Sequence, residues 1–357
     1  METIRTRSFA RAGLLGNPSD GYFGKTLSFT FAQFGVDLSL SESSRIRFQQ
    51  GEVDDATFGS LGEMARNLRL YGYYGGIRLL KATAKRFFDW CQEQDFALPD
   101  CNFSVEYKIN IPRLVGLSGS SAICSAMLKA LMRFYGVTIP REIQPTLCLE
   151  AERDELGINC GFQDRVIQIY NGLVFMDFER SFVEAHNYGR YEPLSVPTEG
   201  LRLYVAYDAN RAEESGKAHK KVKRLFEEKN ADVLAAMSEF ADIAQQGRDL
   251  LAVADANPEV RNSKLAALIN ANFDLRDRIF HVADENRRMV MTARQSGASA
   301  KFAGSGGAIV GTYADEAQFE RLKSDLAAIG TTVFKPTVAT VADEAAEFSA
   351  TGSWRNS

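Results

Sequence analysis

Residues 26–41, TLSFTFAQFGVDLSLS, alternate apolar and polar side chains almost without a break, which is the period of a strand with one face in a core and one toward solvent. With RIRFQQ at 45–50, the first fifty residues read as sheet. The period then changes. From about Leu61 to Phe96 apolar residues recur at helical intervals, most clearly in YYGGIRLLKATAKRFFDWCQ, before NFSVEYKIN returns to strand. Helices are predicted over about 119–136 and 141–154, and RVIQIYNGLVFMDF reads as a short helix, an Asn-Gly turn and a strand. The second half opens with the strand LRLYVAYD and runs through helical segments near 216–228, 230–254, 261–282 and 285–296. It ends in KFAGSGGAIVGTY, a glycine-rich stretch entering a strand. Strands this scattered do not build a simple doubly wound sheet, so the fold class is α+β in both halves. The polar VPTEG at 196–200 marks the expected boundary between an N-terminal domain, 1–198, and a C-terminal domain, 199–345, and residues 346–357 are expected to form a flexible tail.

With 45% apolar and 25% charged residues among 357, the chain can bury a full core and is long enough for two domains. A formal charge of −4 argues against general binding to nucleic acid or to a membrane surface, so any anionic ligand must be met by a local arrangement. The five cysteines are odd in number and lack metal-ligand spacing, which fits free thiols in a reducing compartment. METIRTRSFARAGLLG has no apolar segment of signal-peptide type, and the expected location is the cytoplasm. The sequence gives no oligomeric state.

Two stretches bear on phosphate binding. SDGYFGKT at 19–26 places Gly24, Lys25 and Thr26 where a P-loop needs them, but Ser19 stands in place of the first glycine and an alternating strand follows instead of a helix. IPRLVGLSGSSAICSAMLKALMRFYG at 111–136 does run from small residues into a helix. A helix N-terminus carries unpaired N–H groups and partial positive charge, and glycine lets a phosphate approach the backbone. From this segment alone, an ordinary N-cap explains the serines equally well. In LEAERDELGINCGFQDRV at 149–166, Glu152 ends a helix and Asp164 follows a loop, so the two carboxylates either converge on a site or serve as surface charges and caps.

ARAGLLGNPSD, IPRLVGLSGSSA, the Glu152–Asp164 segment and GASAKFAGSGGAIV occur in the order and approximate spacing found in the GHMP superfamily of small-molecule kinases, which includes galactokinase, homoserine kinase and mevalonate kinase. Within it, GLLGNPSD, GYYGGIRLL, IPRLVGLSGSSAI, ELGINCGFQDRV, NFDLRDRIF and ASAKFAGSGGAIV most resemble the plant-type glucuronokinases, over about Ser8 to Val310. The resemblance implies a two-domain fold with the active site in the cleft between domains. It also implies ATP and Mg²⁺ as cofactors and a small-molecule sugar acid as partner. On it, Gly116, Ser118, Gly119, Ser120 and Ser121 wrap the triphosphate, and Ser121 and Glu152 hold Mg²⁺. Asp164 faces the hydroxyl to be phosphorylated, with Arg11 beside it and the γ-phosphate. Asp20 binds sugar hydroxyls, and Gly304, Gly306 and Gly307 form a third loop over the site. The implied reaction is phosphorylation of the anomeric C1 hydroxyl of D-glucuronate. The alternatives are a kinase of galacturonate, galactose or arabinose, and a catalytically silent sugar and ATP sensor.

In galactokinases the residue after the corresponding turn is a Glu that binds the sugar's terminal hydroxyl, whereas here it is Asn17. At about 4 Å and an effective dielectric near 20, a carboxylate there would repel a uronate by roughly 4 kcal/mol. Asn17 therefore favours an acidic sugar, unless it merely caps the next turn. Arg165 either pairs with the substrate's carboxylate or forms a structural ion pair. Lys217, in GKAHKKVKRLF, is a further substrate-binding candidate on what is otherwise a solvated helix face. Tyr71, Tyr73 and Tyr74 either border the adenine or belong to the core.

Overall fold

The structure, a computed structural model, describes residues 3–49, 75–195, 201–209, 216–253, 257–280 and 282–344, and of residues 216–220 and 285 the backbone only. β1 (Ile4–Leu15) and β2 (Lys25–Ser43) run antiparallel from Ile4 opposite Leu40 to Leu15 opposite Leu27. β3 (Arg47–Phe48) lies parallel to β4 (Asn102–Ile109), which pairs with residues 36–43 of β2. β5 (Leu173–Asp177) pairs with residues 25–29 of β2, and β6 (Arg190–Pro193) closes the sheet beyond it. β2 is long because its two ends serve different neighbours.

Four helices build the layer against this sheet: α1 (Gly76–Glu93), α2 (Gly119–Tyr135), α3 (Gln144–Arg153) and α4 (Gln163–Tyr170). α2 packs on β1 and β2 and buries Ile123, Met127, Leu128 and Leu131 among its contacts. Each such side chain contributes about 1.5–3 kcal/mol by leaving water. That burial fixes the helix axis, and with it the direction in which the N-terminus points. A short helix, α5 (Arg180–His186), follows β5.

The second sheet, β10-β7-β9-β8, is antiparallel and uses β7 (Leu203–Tyr207), β8 (Lys301–Phe302), β9 (Ala308–Thr312) and β10 (Thr332–Phe334). Between them come α6 (Gly216–Glu227), α7 (Ala231–Ala252), α8 (Pro258–Phe280), α9 (Asp284–Gln295) and α10 (Glu316–Ala327). α7 packs on β2, and α8 touches both β1 and β8. The chain finally returns to the first sheet, where Val338 bridges to Phe31 and the Lys129 Nζ donates to Glu344 at 2.8 Å.

Helix starts differ from the periodicity. α3 begins at Gln144, with Pro145 in its first turn, where a missing N–H costs nothing. α8 begins at Pro258, three residues early, because the Asn257 side chain accepts from the Glu259 N–H at 2.9 Å and caps it. α5, β6, α10 and β10 fall where no element was expected. α10 did carry a signal, since Asp315 caps it by accepting from the Gln318 N–H at 2.8 Å, and Phe319, Leu322 and Leu326 share one buried face. The expected boundary at 196–200, the tail 346–357, the helical pattern over 61–74 and Tyr71, Tyr73 and Tyr74 lie outside the described residues. No described helix is long and apolar enough to cross a membrane.

Candidate active site

The N-cap of α2 is Ser118, in the left-handed region at φ 64°. A non-glycine residue there costs on the order of 1 kcal/mol. It does not cap the helix: no side chain does, and the Ser118 hydroxyl instead donates to Asp164 Oδ2 at 2.5 Å. The N-terminus of α2 thus carries no side-chain cap, and Gly116, Ser118, Gly119 and Ser120 help to line a cleft of about 520 Å³. The choice between cap and cradle, open in the sequence, goes against the cap.

Asp164, in the first turn of α4, accepts from Arg11 Nε at 2.7 Å and from Arg11 Nη2 at 2.8 Å. Burial alone would raise its pKa. The Arg11 charge and hydrogen bonds, the charge of Arg165 and the Ser118 hydroxyl outweigh that and hold it at about 2. Arg11 Nη1 donates to Gly116 O at 2.6 Å and to Ala303 O at 3.0 Å, so one guanidinium ties β1, the α2 loop and the loop after β8. The two glycine loops interlock. A Cβ on Gly116, at φ 76°, would come within 2.6 Å of Gly306 O, and one on Gly304 would collide with Gly116 O. Gly304 lines the cleft, and Gly306 and Gly307 lie in the same loop.

Asp20 also lines the cleft and accepts from the Gln163 N–H at 3.2 Å. Burial first, then repulsion from Asp164, push its pKa up to about 6 against the opposing pull of Gln163, Arg11 and Arg165. Asn17 lines the cleft as well. Its side chain does not cap the following turn; Oδ1 accepts from Lys301 Nζ at 2.5 Å, and Nδ2 donates to Phe302 O at 3.4 Å.

Glu152 and Ser121 are wholly buried. Glu152 Oε2 accepts from Arg165 Nε at 2.7 Å and from Arg165 Nη2, and Arg165 Nη1 donates to Gly161 O at 2.9 Å. Of the two roles open to Arg165, this is the geometry of the ion pair. Glu152 Oε1 is buried with no hydrogen-bond partner, an arrangement that costs about 1–3 kcal/mol unless something else binds it. One orphaned carboxylate oxygen suits a hard cation with oxygen ligands, but neither Glu152 nor Ser121 lines the cleft, the Ser121 hydroxyl donates to Ser118 O at 3.3 Å, and no group of three or more His, Cys, Asp or Glu side chains is arranged for a metal among the described residues.

Arg276 and Lys223 are among the cleft residues not singled out from the sequence. Arg276, on α8, donates to Gly304 O at 2.9 Å and Ser305 O at 2.8 Å and so braces the third loop. It sits inside NFDLRDRIF, a segment noted only for its resemblance. On α6 it is Lys223 that lines the cleft, while the side chain of Lys217 is outside the described residues.

This two-sheet architecture is that of small-molecule kinases. Galactokinase of Lactococcus lactis, solved with galactose, superposes with a TM-score of 0.70 at 14% identity, covering 95% of this chain and 94% of that one. Mevalonate kinase of L. major, solved with R-mevalonate, gives 0.67 at 16% identity, covering 95% and 98%. The GHMP kinases N terminal domain model matches residues 78–172. Over 315 residues the chain is 42% identical to Glucuronokinase 1 of Arabidopsis thaliana, covering 86% of this chain and 84% of that protein. It is 44% identical over 313 residues to Probable glucuronokinase 2 of the same plant, covering 85% and 82%. The chain belongs to the GHMP kinase family and is an ATP-dependent kinase.

Proposed function

We propose that the protein transfers the γ-phosphoryl group of ATP to the C1 hydroxyl of D-glucuronate, giving glucuronate 1-phosphate and ADP. The observation that carries the chemistry is the Arg11–Asp164 pair set beside the uncapped N-terminus of α2. The similarity to two glucuronokinases supports the choice of sugar.

In phosphoryl transfer the protein mostly positions the reactants and neutralises charge. Gly116, Ser118, Gly119, Ser120 and Ser121 present backbone N–H groups to the phosphates at the positive end of the helix. Mg²⁺, when bound, would neutralise phosphate charge, and Ser121 and Glu152 Oε1 are the residues that would hold it. Arg11 faces the transferred group. Asp164, with a pKa near 2, is ionised throughout the working range. So weak a base orients the C1 hydroxyl and takes its proton late, as the new O–P bond forms and the bond to ADP breaks. Asp20 and Asn17 hold the sugar from the other wall. Gly304, Gly306 and Gly307 close over the site. The domain division at about residue 198 belongs to the same reading.

The test is ADP release with ATP and Mg²⁺ across glucuronate, galacturonate, glucose, galactose and arabinose, with the product identified by NMR. Preference for glucuronate with phosphate on C1 is the expected result. Preference for another sugar replaces the substrate and keeps the kinase. Ligand-induced stabilisation without turnover on any of the five would point to a sensor.

A further inference from the structure

Lys301, in β8, is 1% exposed. Its ammonium donates to Gly13 O at 2.6 Å, Asn17 Oδ1 at 2.5 Å and Phe302 O at 2.8 Å, so its three hydrogens meet three neutral oxygens. Among the described residues, no carboxylate forms an ion pair with it. Burial, then the charges of Arg276 and Arg11, push its pKa well below that of a free lysine. An ammonium enclosed in this way is stabilised by any anion brought close to it.

The same contact fixes the Asn17 amide. An ammonium has donors only, so the oxygen of Asn17 must face Lys301 and the nitrogen must face away from it. Nδ2 makes one long contact to Phe302 O at 3.4 Å, which leaves donor capacity for a ligand in the cleft that Asn17 lines. The position suits a substrate bound at Arg11. Ala303 O, which accepts from Arg11 Nη1 at 3.0 Å, also accepts from the Gly13 N–H at 2.7 Å, and a Cβ on Gly13 would come within 3.2 Å of Asn17 Cγ. Arg11 and Asn17 thus flank Gly13 and Ala303 and line the same cleft.

We propose that Lys301 is the positioning residue that sets acceptor specificity: it turns the Asn17 amide donor toward the cleft and places a positive charge behind it, selecting a sugar that carries a carboxylate remote from the reacting hydroxyl. This rests on the sugar-acid reading above. Arg165, the other candidate for that carboxylate, has its guanidinium engaged by Glu152 and Gly161 O.

The experiment compares kcat and KM for D-glucuronate and its neutral isostere D-glucuronamide in wild type, Lys301→Met and Lys301→Gln. Wild type is expected to favour the acid by about 100-fold in kcat/KM, a preference of the size that one nearby charge supplies. Lys301→Met brings the ratio below about tenfold, mainly through the KM of the acid. Lys301→Gln, which can still donate to Asn17 Oδ1 but carries no charge, does the same, so a folding defect in Lys301→Met does not end the test. Equal losses on acid and amide in both variants assign Lys301 a structural role only and overturn the proposal. A wild type that turns over both without preference also removes Lys301 while leaving the kinase on this sugar skeleton intact. A wild type active on neither, but active on a neutral hexose, overturns the sugar-acid reading and the proposal with it.

Discussion

Asp164 and Arg11 lie 153 positions apart and meet through two parallel hydrogen bonds of 2.7 and 2.8 Å. The pairing, seconded by Ser118, fixes the carboxylate at the point where the open end of α2 meets the third glycine loop. It also sets the protonation state, since a carboxylate so held stays ionised far below neutral pH.

Asp164→Asn is expected to lower kcat by about 10²–10⁴-fold while the Kd for ATP, measured by calorimetry, stays within a few-fold. Near-normal turnover would remove Asp164 from the mechanism. The folded pKa lies below the unfolded value of 3.8, so the stabilisation it reports is present above that value and is lost as pH falls toward about 2. At pH 7 the variant should therefore be less stable, by about 2 kcal/mol. Chemical denaturation checks that figure.

Asp20 has the opposite sign. Its folded pKa, about 6, is above the unfolded 3.8, so folding favours its proton and the ionised form works against stability at neutral pH. Asp20→Asn should raise the free energy of unfolding at pH 8, by on the order of 1–3 kcal/mol, and the gain, read by chemical denaturation, should vanish by pH 3.5. In wild type, the KM for the sugar should rise as pH drops through 6 while the KM for ATP does not follow. A sugar KM that is flat across that range would separate Asp20 from the substrate.

Glu152→Gln keeps the shape of the side chain but leaves the Arg165 guanidinium without its counter-charge. The expected loss of stability is about 3–5 kcal/mol. If Glu152 Oε1 is the metal ligand, Mn²⁺ binding in the presence of ADP, followed by electron paramagnetic resonance, weakens by at least about tenfold. Unaltered Mn²⁺ affinity would confine Glu152 to the ion pair.

Gly304→Ala drives a methyl group into Gly116 O and the Arg11 guanidinium. Overpacking of this kind costs about 1–3 kcal/mol. Because Arg11 must move, kcat is expected to fall by about 10²-fold with little change in overall fold by circular dichroism.

The elements most legible in the sequence were those with a strong local period. β2, α2, α4 with its Asn-Gly turn into β5, and β7 all stand where alternation or helical spacing puts them. The turn into a helix at 116–121 was legible as well, because small residues before an amphipathic run are a local signal. Its serines were not: whether Ser118 caps α2 or turns to Asp164 depends on a partner 46 positions away. Arg276 and Lys301 gave no signal of their own. One reads as a polar residue within a helix and the other as the start of a glycine-rich stretch that enters a strand.

The sequence by itself determined the period of each element and the small-residue turns, because side-chain partitioning between water and core, and the steric freedom of glycine, act on neighbours along the chain. Only the tertiary structure decided which charges meet. Packing brought Arg11 to Asp164, gave Arg165 to Glu152 and left Lys301 with neutral oxygens alone. Coulomb energy depends on distance and local dielectric, and for residues on different elements both are fixed by the packing of two sheets and their helices.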